Sequence, residues 1–461
     1  MRALLAFTGS RGDAQPGILL ARSLIARGHE VTLALAPNLV GFATEHGVPA
    51  VPFGCDSAVL LHAQRTDRRF KARNPWSRLR AVLDLQRRGV PDMVADLREL
   101  VPGHDAVVAG MAGEEAAAAV AHEAGLPFAA MHFFPIQANA VVPVVPARWA
   151  QRLPGVVHRW GWSALAFARA AALAPVLPTG EPPTRVRIQA YDPTLFPGLR
   201  DELPGPFTGF PVDVDGARTT PRDSDRHRRP RGAHPEAGPL GPRDDVRCGA
   251  STDPALPSSA TATASAGFRS RTDAQAAVRR WLAAGSAPVY VGFGSMDVGD
   301  PVEFVAMLRE VCARRGRRLL LASGWAAITP GIDADVAVVD QVDHTEVLPH
   351  CVAVVHHGGA GTTAAALRAG VPQVICSVQA DQPYWGRALQ RRGLAATTPA
   401  RTLTGARLDS LLDRISTPEV RRRAADYAAA FTTDGVERAA DIVAALAPVA
   451  PELIDAPGRL P

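Results

Sequence analysis

Lysine is nearly absent: Lys71 is the only one, and arginine carries the rest of the positive charge. Chemistry that needs a Schiff-base lysine, as pyridoxal enzymes do, would have to rest on that one side chain. Cysteine is sparse too. The five residues Cys55, Cys248, Cys312, Cys351 and Cys376 are widely spaced and contain no Cys-x-x-Cys pair, which indicates neither a disulfide framework nor a zinc site. They predict mostly buried thiols of a reducing compartment. Long apolar runs are missing. The stretch Ala3–Phe7 breaks at Gly9-Ser10-Arg11-Gly12-Asp13 before it can serve as a signal peptide. The alanine-rich segment from Ser163 to Leu177 is interrupted by Arg169 and falls short of the ~20 residues of a membrane span. A cytoplasmic protein is expected, meeting membranes only peripherally, through lipid substrates. Aromatic and basic residues are not interleaved, so the formal charge of +5 does not argue for a nucleic-acid partner.

What is present is a globular composition, 47% hydrophobic and 21% charged over 461 residues. That length suits two domains of roughly 150 to 200 residues with some chain left for linkers. Residues 2 to 7 predict a strand, Ile18 to Ala26 a helix and Val31 to Leu35 a second strand. Ala106–Ala109, Glu114–Ala124 and Pro127–Phe133 continue the alternation. A second series starts at Pro288–Phe293 and runs through a helix near Val305–Arg314. Strands follow at Arg318–Ala322, Val336–Val339, Val352–Val355 and Gln373–Ile375. Such alternation predicts two α/β domains, each with a parallel sheet flanked by helices. Between them, Asp213 to about Arg271 is rich in Pro, Arg, Asp, Ser, Thr and Ala and predicts a disordered linker. Its run Arg226-His227-Arg228-Arg229-Pro230-Arg231 is either solvated or a polyanion contact.

Chemistry concentrates at predicted strand ends. The strand Val352–Val355 runs into His356-His357-Gly358-Gly359-Ala360-Gly361-Thr362-Thr363 and then a helix. Small residues at a strand-to-helix turn let backbone amides approach an anion, and the helix N-terminus adds positive partial charge. A phosphate suits this turn, with His357 and the hydroxyls of Thr362 and Thr363 as further donors. A capped glycine turn or a histidine metal site reads the same letters. One strand later, Asp381-Gln382-Pro383-Tyr384-Trp385-Gly386 offers a carboxylate and an amide suited to sugar hydroxyls; alone, Asp381 equally reads as a helix cap. The turn Gly292-Phe293-Gly294-Ser295-Met296 ends the first strand of the second domain, and Ser295 could reach the same phosphates. A nicotinamide dehydrogenase does not fit. Gly9-Ser10-Arg11-Gly12 lacks the dinucleotide glycine spacing, and no acid follows the second strand.

The segments Val289–Ser295, Ser323-Gly324-Trp325, His356–Thr363 and Asp381–Gly386 together resemble the donor half of the family 1 glycosyltransferases of GT-B fold. The similarity is to the bacterial branch that acts on antibiotic aglycones, sterols and glycolipids. Phe7–Pro16 resembles that branch's N-terminal motif. The resemblance implies two Rossmann-like domains facing a central cleft. Residues 1–210 would bind the acceptor, 211–275 would link, 276–447 would bind the nucleotide sugar and end in a helix crossing back, and 448–461 would form a tail. It implies that Ser295, His357 and the amides of Gly359, Ala360, Gly361 and Thr362 hold the diphosphate. Val342 would meet the base through its backbone, and Asp381 with Gln382 would hold sugar hydroxyls. Asp13 would be the general base; the competing reading is a helix cap before Gln15-Pro16. Relatives often pair the base with a second acid, and Val107–Met111 contains none. No metal and no cofactor beyond the nucleotide-sugar co-substrate is implied. The expected activity is inverting transfer of a hexose from a UDP- or dTDP-sugar to a hydroxyl of an apolar small-molecule or lipid acceptor. The alternative is a catalytically degenerate protein that only binds sugar nucleotides.

Overall fold

The computed structural model describes residues 1–71, 74–147, 149–213, 270–294, 296, 299–324 and 328–446. Most of the expected linker (214–269), Ser295, Trp325 and the tail lie outside the described residues. The described chain forms two compact units: Met1–His132 with Ala168–Ile188 and the segment from Val436 onward, and Phe133–Phe167 with Gln189–Gly435.

The first unit is built on strands β1 (Arg2–Phe7), β2 (Glu30–Leu35), β3 (Ala50–Pro52), β4 (Ala106–Gly110), β5 (Phe128–His132) and β6 (Arg185–Gln189), in the order β3-β2-β1-β4-β5-β6. The pairings of β1 with β2 and β4, and of β4 with β5, are parallel. The central strands β4 and β5 are buried throughout and β1 from Ala3 onward, as expected when helices cover both faces, whereas β3 and the first three residues of β6 at the sheet edges are only partly buried or exposed. Helix Arg11–Ala26 can lie against β1 because position 17 is glycine: a Cβ there would sit 2.6 Å from the Phe7 ring. Helix Pro75–Leu100 was not legible in advance. Its Arg- and Asp-rich text hides the core stripe Val90, Met93, Val94, Leu97.

The last helix, Gly435–Ala444, begins at the final residue of the second unit and continues in the first. It buries Val436, Ala439, Ala440 and Val443, an i, i+3, i+4, i+7 stripe; Ile442 and Leu446 beside it are only half-buried. Arg27 pairs with Glu437 at 2.6 Å and with Asp441 at 2.5 Å, and Ser23 donates to Glu437 at 2.8 Å.

The second unit carries β7 (Val289–Gly292), β8 (Leu319–Ala322), β9 (Gly331–Ile332), β10 (Val336–Val339), β11 (Ala353–His356), β12 (Gln373–Ser377) and β13 (Ala395–Pro399). Their order is β13-β12-β11-β7-β8-β10-β9, and only the β9–β10 pairing is antiparallel among the described pairs. Along β7, Val289 and Val291 enter one core layer and Tyr290 the other, the period of two that a doubly covered strand requires.

Two boundaries read from the sequence shift. Helix Arg271–Ala283 starts inside the expected linker 211–275, with the Ser270 hydroxyl accepting from Asp273 N–H at 3.1 Å. Residues 133–167 and 189–210, placed by sequence in the acceptor domain, gather with the second unit. The cause is an aromatic cluster around fully buried Trp385, whose ring lies 5.9 Å from Phe134 and 5.4 Å from both Phe196 and Phe210. Phe133 and Phe134 are part of the core.

Candidate functional site

In the second unit, parallel strands β12, β11, β7, β8 and β10 end along one sheet edge, so the turns that follow them are neighbours. After β11, His356 and His357 divide the work. His356 is fully buried, accepts from Gly358 N–H at Nδ1 (3.1 Å) and faces Gln373 Oε1 with Nε2 (2.9 Å). An imidazole nitrogen that accepts is unprotonated, so the proton resides on Nε2 and donates to Gln373. Burial pushes its pKa down to about 3; it is a neutral brace for the turn.

His357 is the residue left over. Among the described residues its Nδ1 is buried without a partner that meets hydrogen-bond geometry, and burial, only partly opposed by the Gly292 backbone, pushes its pKa down to about 4. The ring is wedged between two glycine turns. A Cβ on Gly294 would lie 3.4 Å from its Cε1, and one on Gly359 would lie 2.5 Å from its Nε2. Gly324, φ +59, presses on the same turn: a Cβ there would be 2.1 Å from the Gly294 carbonyl oxygen.

Gly359 is the N-cap of helix Ala360–Arg368, with φ −62 and ψ 145 and no side-chain cap. Among the described residues, nothing accepts from the N–H groups of Gly359, Ala360, Gly361 or Thr362, whereas Thr363 N–H bonds to Gly359 O at 3.0 Å. Four consecutive open amides at a helix start form an anion cradle. The Thr363 amide is thus committed, while its buried Oγ1 has no partner among the described residues. Val342 sits in the turn after β10 with its side chain against the core, and its peptide N–H and C=O make no protein hydrogen bond among the described residues. Ser295 lies outside the described residues.

After β12 the backbone is strained. Ala380 has φ +53, the only positive value at a non-glycine residue among those described, a conformation that costs roughly 1–2 kcal/mol. It precedes Asp381, the N-cap of helix Gln382–Arg391. Asp381 Oδ2 accepts from Trp385 Nε1 at 2.9 Å, which ties the motif to the aromatic cluster. Gln382, expected to contact sugar hydroxyls, has its amide oxygen engaged by its own turn. It is buried, and its Oε1 accepts from Val378 N–H at 2.8 Å and Gln379 N–H at 3.1 Å, closing the turn. Only its Nε2 is uncommitted to backbone, 3.7 Å from Met296 Sδ.

In the first unit, Asp13 lies in the first turn of the helix that follows β1. Its Oδ2 accepts from Ser10 N–H at 2.8 Å and Ser10 Oγ at 2.9 Å, the reach-back half of a capping box. A helix-capping contact is therefore present. It occupies one oxygen; among the described residues nothing donates to Oδ1. Burial raises the carboxyl pKa against the opposing effect of the Ser10 bonds.

A second buried cluster lies in the first unit, at residues the sequence motifs do not mark. Glu114 opens helix Glu114–Glu123 and meets His132 Nε2 at 2.8 Å and Arg185 at 2.8 Å. Burial raises the Glu114 pKa, but His132 and Arg185 outweigh it and hold the carboxyl well below the usual range. Two adjacent acids one turn past β4 were the available signal.

Known proteins resemble the chain over nearly its whole length. Residues 3–143 match the description "Glycosyltransferase family 28 N-terminal domain", and residues 324–439 match "Erythromycin biosynthesis protein CIII-like, C-terminal domain". An uncharacterized glycosyltransferase of Mycobacterium tuberculosis, Rv1524, is 33% identical, the alignment covering 94% of this chain and 95% of that protein. The chain belongs to the family 1 glycosyltransferases of GT-B fold. This glycosyltransferase is also 28% identical to the vancomycin aglycone glucosyltransferase of Amycolatopsis orientalis, over 96% of this chain and 97% of that one. The Streptomyces sp. SF2575 glycosyltransferase SsfS6, solved with thymidine diphosphate, shares its fold. The TM-score is 0.58 at 19% identity, covering 97% of this chain and 99% of that one. Among the described residues, no helix of this glycosyltransferase is long and apolar enough to cross a membrane.

Proposed function

We propose that this enzyme is an inverting, metal-independent, cytoplasmic transferase. It moves a hexose from a uridine or thymidine diphosphate sugar to a hydroxyl of an apolar acceptor, of the glycolipid, sterol or polyketide-like aglycone kind. The observation that carries the reading is the row of four open amides from Gly359 to Thr362 beside a neutral His357. These neutral, preorganised donors suit the charge that develops on a departing diphosphate. A relative that glucosylates an aglycone and a fold neighbour solved with thymidine diphosphate support the same donor and acceptor classes.

In the proposed reaction the acceptor oxygen attacks the anomeric carbon as the bond to the diphosphate oxygen breaks, inverting the carbon. The hydroxyl proton passes to Asp13, through the oxygen not engaged by Ser10, a contribution of roughly 10² to 10⁴ in rate. Ser295 would join the diphosphate donors. Val342 would hold the base through its peptide groups, and Asp381 and the Nε2 of Gln382 would contact sugar hydroxyls. The test is transfer assayed by product mass with UDP- and dTDP-hexoses against sterol, lipid and polyketide acceptors, with and without chelator. Chelator-insensitive product with an inverted anomeric centre is expected. Nucleotide binding with neither transfer nor donor hydrolysis would replace it by the degenerate, binding-only reading.

A further inference from the structure

Helix Gly155–Leu173 has the wrong side turned to water. Its inner face is conventional: His158 and Trp162 are buried, and Trp162 Nε1 donates to Val142 O at 2.7 Å. The outer face carries Val156, Trp160 and Phe167, preceded by Trp149 and Leu153. Trp149, Val156, Trp160 and Phe167 are 61%, 50%, 71% and 75% exposed. Positions 156, 160 and 167 recur at helical spacing, so they form one stripe, and exposed Trp149 and Leu153 lie in the turn that leads into the helix. A solvent-facing stripe is normally polar, and a contiguous exposed aromatic patch marks an interaction surface.

Charge selects the partner. No Asp or Glu occurs from Ala124 to Gly180, while Arg148, Arg152, Arg159 and Arg169 do. Arg152 is exposed and has no partner among the described residues; Arg159 is half-exposed and pairs with Glu202 at 2.6 Å. Arg169 points inward to Glu115 at 2.7 Å, and the helix is not apolar enough to span a bilayer. Tryptophan and phenylalanine on one face, with the exposed Arg152 beside it and no carboxylate in the segment from Ala124 to Gly180, suit the lipid headgroup region.

We propose that the outer face of helix Gly155–Leu173, with Trp149 and Leu153, docks this enzyme onto the surface of an anionic lipid bilayer. Trp160 and Phe167 enter the acyl boundary and Arg152 meets the headgroup phosphates. The inference goes beyond the proposed reaction and does not depend on the identity of donor or acceptor.

Flotation of the full-length protein with phosphatidylcholine vesicles, with and without phosphatidylglycerol, tests it. The unaltered protein is expected to float with phosphatidylglycerol vesicles, less so at high salt. The pair Trp160→Ser and Phe167→Ser is expected to lower the bound fraction about ten-fold or more while nucleotide affinity and circular dichroism stay unchanged. Quenching of tryptophan fluorescence by bromine-labelled phosphatidylglycerol is expected in the unaltered protein and needs no variant. Absence of both flotation and quenching, or equal binding by the double variant, overturns the proposal. So does a concentration-dependent dimer that the double variant abolishes, since a second copy would then be the occupant.

Discussion

The Nε2 of His357 lies 2.5 Å from where a Cβ on Gly359 would stand, so the imidazole and the first residue of the amide row share space that only glycine leaves open. The expected consequence is that Gly359→Ala displaces the ring and weakens nucleotide binding about ten-fold, roughly 1.4 kcal/mol. Calorimetric titration with UDP and dTDP measures it, and an unchanged affinity would separate His357 from the diphosphate.

Asp13→Asn should divide chemistry from stability. Loss of the base lowers transfer by about 10² to 10⁴ with nucleotide affinity retained. The raised folded-state pKa means the ionised carboxylate is disfavoured in the fold. The associated stability is present below the ordinary carboxylate range and lost as pH rises through the raised value. At pH 7 the neutral amide should therefore leave the melting temperature unchanged or higher. Equal loss of transfer and nucleotide affinity would reduce Asp13 to its capping contact with Ser10.

Acid should loosen the donor turn. His356 falls from the ordinary 6.5 to about 3 and His357 to about 4, both by burial. A depressed pKa contributes stability that is complete above 6.5 and is lost as pH falls toward the folded value. Urea unfolding at pH 7 and near pH 4 should differ by roughly 2–3 kcal/mol from His356 alone, and His356→Asn should flatten that dependence while lowering stability at pH 7. A slope identical in the variant would place the acid sensitivity elsewhere, Glu114 being the first alternative.

Ala380→Gly should raise stability by roughly 1 kcal/mol, because glycine adopts φ +53 without a Cβ clash. If the strained turn aims Asp381 at the sugar, the same change weakens donor binding, a trade visible by comparing melting temperature with the KM for donor. Improvement of both would mean the strain serves no ligand.

Trp385→Phe keeps an aromatic ring in the cluster but removes the N–H that holds Asp381 Oδ2. A stability loss of roughly 1–3 kcal/mol is expected from the vacated volume and the lost hydrogen bond. An intact melting temperature would show that this N–H contributes nothing to the fold.

Much of the scaffold was readable in one dimension because it is local. Val289–Gly292, Val336–Val339 and Gln373–Ser377 are short apolar runs bounded by turn residues, and the glycines after His357 mark a strand-to-helix turn wherever they occur. The weak strands Ala395–Pro399 and Arg185–Gln189 were missed because AATTP and RVRIQ carry little apolar signal; neighbouring strands determine them. Likewise Ile442 and Leu446 are as apolar as Val436 and Val443, yet only the latter two are buried, a choice made by the packing of the helix and not by its letters.

From the sequence alone came the two α/β units, the order of ligand-type turns at strand ends and the resemblance they carry, since each is set by residues within a few positions of one another. Tertiary structure decided which of those residues are committed. His356 is consumed by Gln373, Gln382 by its own turn, Asp381 in part by Trp385 and one oxygen of Asp13 by Ser10, while His357 Nδ1 and four amides are left over. That division rests on packing between segments far apart in the chain, such as Phe134 against Trp385. Hydrogen-bond partners follow from where buried rings settle, which no local pattern encodes.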